Sequence, residues 1–95
     1  MRLSLQELIL LKCSPFPTDT GYRPASKAEV IRGAASLLED ETFDERTALK
    51  LFDHLEHSKL IERVSGGHIR RTFEGTAELR ANQQFVQNLV TKLLT

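Results

Sequence analysis

Tryptophan is absent from this chain of 95 residues, and tyrosine and methionine occur once each. With so few aromatics, aliphatic side chains must fill the core, and a chain of this length buries one modest core in a single domain, residues 1–95. The lone Cys13 excludes an internal disulfide and suits a reducing, cytoplasmic setting. It reads either as a small buried hydrophobe or as a reactive thiol. Net charge is also missing, since 13 Lys plus Arg offset 13 Asp plus Glu. That balance argues against an unselective polyanion binder and leaves room for a local basic patch. No apolar run approaches membrane-spanning length, so no membrane partner is expected. The opening MRLSLQELILLK is short and carries Glu7, which does not fit a signal peptide. There is no Cys–His or Ser–His–Asp motif with local context and no glycine-rich phosphate loop. No enzyme, no catalytic residue and no cofactor is therefore expected.

What is present centres on residues 42–75. Ala48, Leu51, Phe52 and Leu55 recur at spacings of three and four, one face of a helix. Thr42 and Glu45 have the spacing of a capping box, with Asp44 as the alternative cap. Leu60, Ile61 and Val64 read as a strand, Gly66-Gly67 as a two-residue turn that needs positive φ, and His68 to Arg71 as the return strand. This predicts a helix followed by a β-hairpin.

Around that unit, residues 4–12 predict a first helix, with Ser4 and Glu7 at capping-box spacing and Leu5, Leu8, Ile9 and Leu11 on its apolar side. All three prolines fall in residues 13–25, which read as a loop. That loop either lays Phe16 or Tyr22 over the core or offers Tyr22 and Arg23 to a partner. Residues 26–39 predict a second helix, again opened by a capping-box pair, Ser26 and Glu29. The acidic run at 39–45 complements a helix N-terminus, and its spacing matches no Ca²⁺ loop. A final helix is expected over residues 73–94, a length of ~30 Å that exceeds what so small a domain needs. Leu79, Val86, Leu89, Val90 and Leu93 form its apolar stripe, with Asn82 at the intervening seam position, and this heptad character predicts a homodimer interface.

At Leu55-Glu56-His57-Ser58-Lys59-Leu60-Ile61 and at Thr72-Phe73-Glu74-Gly75 the chain resembles the winged-helix transcriptional regulators, most nearly the PadR-like group. Leu55-Glu56 and Leu60-Ile61 match a family pattern that closes a helix before a hairpin. Thr72 and Gly75 match one that opens a final helix. Lys59 stands where the family usually has glycine. The resemblance covers roughly residues 46–80. It implies a mostly α (α+β) winged helix-turn-helix: three helices, a β-hairpin wing and a long C-terminal dimerisation helix. The third helix would enter the major groove of double-stranded DNA and the wing would contact backbone.

On that footing the expected DNA-binding residues are Arg46, Lys50 and His57 on the central helix and His68, Arg70 and Arg71 on the wing. Asp53 on the same helix face supports the alternative of an ordinary solvated surface. Arg70 and Arg71 alternate across a strand, so at most one of them faces the core edge. His54 and His57 lie three apart, yet no Cys or further His stands at finger-like spacing, so no metal site is expected. The expected function is a sequence-specific DNA-binding transcriptional regulator, and the alternative is a winged-helix module that binds only protein. A continuous positive band across the third helix and the wing would favour the first, and a broken one the second.

Overall fold

Each helix begins on a side-chain cap that the sequence places one residue ahead of it. The computed structural model describes residues 3–39, 43–84, 87–88 and 91. Within them α1 is Leu5–Cys13, β1 Ala25–Ser26, α2 Lys27–Leu38, α3 Glu45–His57, β2 Ile61–Val64, β3 His68–Arg71 and α4 Phe73–Ala81. Ser4 and Ser26 each form the full capping box, with Glu7 and Glu29 answering from the third helical position. The box expected at Thr42 and Glu45 involves Thr42, which lies outside the described residues. Asp44 is the N-cap of α3 and accepts from the Thr47 N–H at 2.8 Å. That hydrogen bond holds the Asp44 carboxyl below its usual pKa.

The residue before each cap and the fourth residue of the helix repeat a second device. Leu3 with Leu8 and Phe43 with Ala48 are buried in the core, as is Val30, with Ala25 packed against that core. These positions form the hydrophobic staple that sets how the chain enters a helix. In α4 the same two positions are Arg71 and Thr76, and they meet instead through a hydrogen bond from Nε to Oγ1 at 3.0 Å.

The core is built around α1. Leu8, Ile9, Leu10 and Leu11 are all buried, four consecutive residues rather than the single apolar side expected, while Lys12 in the last turn stays exposed. It packs against α2, α3 and α4. Phe52 and Leu55 of α3, Leu60, Ile61 and Ile69 complete the cluster.

The strands make one antiparallel sheet in the order β1-β3-β2. Its edge strand β1 joins the last residue of the expected loop to Ser26, the cap of the second helix, and two residues are too few to show an alternating pattern. In the hairpin Val64 pairs with His68, which leaves Ser65, Gly66 and Gly67 as the turn. The turn therefore has three residues, not two, and both glycines take positive φ, 80° and 73°.

The end of α3 is a Schellman motif. The Leu60 N–H donates to the Leu55 carbonyl at 2.9 Å and the Lys59 N–H to Glu56 at 3.0 Å. Leu55 and Leu60 are both buried, supplying the apolar contact that accompanies this motif. The motif needs a left-handed residue, and Lys59 provides it at φ 63°. A lysine there carries roughly 1–2 kcal/mol of left-handed strain, partly offset by the flexibility glycine would add to the unfolded chain. Lys59→Gly should raise stability by about 0.5–1 kcal/mol. In urea the midpoint should move up with the m-value unchanged; a lower midpoint would show that the lysine stem makes contacts worth more than the strain.

The helix expected across 73–94 is not seen. Helix α4 ends at Ala81, where the Asn82 side chain turns back to donate to the Glu78 carbonyl at 2.9 Å. Asparagine competes for backbone groups in this way and favours helix ends. Leu79 packs against the chain's own core. Val86, Leu89, Val90 and Leu93 lie outside the described residues. Among the described residues no helix is long and apolar enough to cross a membrane.

Candidate nucleic-acid interface

The outward face of α3 carries Arg46, Lys50, Asp53 and His57, at helical spacings of four, three and four, and all four are exposed. Burial of Ala48, Phe52 and Leu55 on the other side fixes that orientation. Neither Arg46 nor Lys50 forms an ion pair among the described residues. Asp53 sits between Lys50 and His57 and interrupts the positive stripe.

The wing joins this face through charge pairs. Arg63 on β2 grips Glu56 in the last turn of α3 with two hydrogen bonds, 2.6 Å from Nε and 3.3 Å from Nη2. Across the hairpin Arg70 donates to Glu62, its direct cross-strand partner. Glu62 and Tyr22 both favour the charged form of Arg70 and push its pKa up. His68 closes the turn, its Nδ1–H donating to the Ser65 carbonyl at 3.2 Å.

Arg71 is not part of this surface. Its side chain is 11% exposed and is turned into the seam between α1 and α4. Nη1 donates to the carbonyls of Leu11, Lys12 and Ser14 at 3.2, 3.4 and 3.3 Å. The guanidinium stacks over Phe16 at 5.4 Å, and Phe16 meets Phe73 edge-on. Burial pushes the Arg71 pKa down, and Asp19, 3.8 Å away, opposes that shift. The alternation rule allowed one inward arginine; it is Arg71, which leaves Arg70 outside. The loop takes the covering role, with Phe16 buried and the Pro15 carbonyl accepting from the Arg71 N–H at 2.7 Å.

One feature had no signal in the sequence. Buried Glu7 meets His54 Nδ1 with its second carboxylate oxygen, tying α1 to α3. No group of three or more His, Cys, Asp or Glu gathers among the described residues. The junction of α3, β2 and α4 is held by Thr72, at the helix-opening motif the sequence already shows. The Thr72 hydroxyl donates to the Lys59 carbonyl at 2.7 Å and accepts from the Gly75 N–H at 3.0 Å. The four helices and small three-stranded antiparallel sheet are compatible with a winged-helix-like layout. No protein-family model, no curated protein and no solved structure matches the chain.

Proposed function

We propose that the chain is a winged-helix transcriptional regulator of PadR-like type that binds double-stranded DNA sequence-specifically through α3. The observation that carries this reading is the pair Arg46 and Lys50, exposed, one turn apart and without ion pairs among the described residues, on the helix directly ahead of the wing. An arginine in that position can reach guanine O6 and N7, and a lysine a base or a phosphate. The ion pairs of Arg63 and Arg70 are solvent-exposed, and such pairs are weak. A phosphate can replace the carboxylate at little cost, so the wing arginines stay available. The proposal includes a homodimer through the segment after α4. A two-fold dimer would set two copies of α3 at half-sites about one helical turn apart.

A second reading, a winged-helix module for protein contacts alone, has its own support. Asp53, Glu56 and Glu62 break the positive band across α3 and the wing. Titration of genomic fragments at two salt concentrations separates the readings. DNA binding should saturate at two protomers per site. Arg46→Ala should relax sequence preference, whereas Arg70→Ala should weaken binding on every sequence alike and lower the salt slope by about 1. Absence of any shifted fragment at low salt would hand the function to the protein-binding reading.

A further inference from the structure

The wing and the opposite side of the molecule treat cations differently. On the wing each arginine faces its own glutamate. Between the last turn of α1 and the side of α4 that carries Thr76, Leu79 and Arg80 runs a cleft of about 570 Å³ whose lining holds Lys12, Arg71 and Arg80 and no carboxylate among its described residues. Neither Lys12 nor Arg80 forms an ion pair among the described residues. Lys12 and Arg80 thus bring uncompensated positive charge to one lining, beside an Arg71 whose carboxylate partner Asp19 lies 3.8 Å away, and an anion is attracted to such a lining.

The geometry is prepared for a ligand in three respects. Arg71 is locked by its bonds to the end of α1 and to Thr76, so it need lose little freedom on binding. Among the described residues its Nη2 group forms no hydrogen bond and lies 3.8 Å from the Asp19 carboxylate, which does not line the cleft. Thr76, Gln83 and Gln87 add neutral polar groups, and Leu79 gives one apolar wall. The volume lies within the range of small-molecule sites.

We propose that this cleft binds a small organic anion, its carboxylate or phosphate group held by Lys12, Arg71 and Arg80 and its body resting on Leu79. The site is on the α1–α4 side, apart from the exposed face of α3, so it stands whether or not the chain binds DNA.

Inorganic phosphate and citrate, each titrated into the ¹⁵N-labelled full chain at constant ionic strength with sodium chloride as balance, test the proposal. Saturable shifts should appear at the Arg71 Nε–H and at the Thr76 and Arg80 amides. The anion that saturates at lower concentration identifies the favoured group. Lys12→Gln with Arg80→Gln should weaken binding about tenfold or more, since two charged contacts are lost. Both residues are exposed, so the double variant should keep a dispersed spectrum. No saturable shift in the millimolar range, equal affinity in the folded double variant, or shifts centred on Arg46 and Lys50 would each overturn the assignment.

Discussion

Gly75→Ala should cost about 3 kcal/mol or more, at or above the usual range for overpacking. The glycine is not there for its φ, since an alanine at a helical position would ordinarily gain about 1 kcal/mol. It is there because nothing else fits. A Cβ at residue 75 would stand 2.2 Å from the Leu60 carbonyl oxygen, 2.8 Å from Arg71 Cγ and 3.1 Å from Leu11 Cδ1. The nearest of these is backbone and cannot rotate aside. That same carbonyl accepts from the Thr72 N–H at 3.0 Å, so moving α4 outward strains the cap that starts it. Relief would also pull the Thr72 hydroxyl from Lys59 and loosen the contact of α4 with α1. Urea denaturation followed by far-ultraviolet circular dichroism measures the loss. A change below ~1 kcal/mol would mean that α4 shifts freely on the core, against the rigid-packing argument.

That result bears on what a sequence can reveal. Thr72 and Gly75 were visible as a motif, and the cap followed from local chemistry. The reason for the glycine was not visible, because it lies in a carbonyl fifteen positions earlier in the chain, brought close only by the fold. The helix starts were legible at Ser4 and Ser26 because a capping box is a local agreement of two side chains. At α3 the alternative cap, Asp44, lies directly before the helix and reaches Thr47. At α4 the heptad pattern suggested continuation, but periodicity carries no information on where a polar residue folds back, and Asn82 does so.

The wing shows how one residue of turn length changes a site. A two-residue turn at Gly66-Gly67 would set Arg63 opposite Arg70, two like charges across a strand pair, which is unfavourable. The three-residue turn moves the register by one and sets Glu62 opposite Arg70 instead. The charge pattern of the strands thus contained the answer, although the glycine pair alone suggested the shorter turn. Arg71 rather than Arg70 turns inward because it shares the strand face of buried Ile69, two residues before it.

Arg70 and Arg71 are neighbours in sequence with opposite duties, and their substitution by methionine should separate those duties. Arg71→Met should cost about 3 kcal/mol, as expected for losing a charged donor that satisfies buried or half-buried acceptors. Its Nη1 bonds to three carbonyls are long, 3.2 to 3.4 Å, and share two hydrogens, so they count for less than three separate bonds. The remainder comes from the Nε bond to Thr76, which replaces the apolar staple of α4, and from stacking on Phe16. Methionine fills much of the volume but supplies no donor. Arg71→Lys should recover only part of the loss, because an ammonium cannot reproduce the planar fork that reaches Thr76 and α1 together. Arg70→Met removes an exposed pair with Glu62 and should leave the unfolding midpoint near that of the unaltered protein. Paired urea melts of the three variants decide the matter. Equal losses at 70 and 71 would mean that the inside and outside of β3 are wrongly assigned, and with them the faces proposed for DNA and for a small anion.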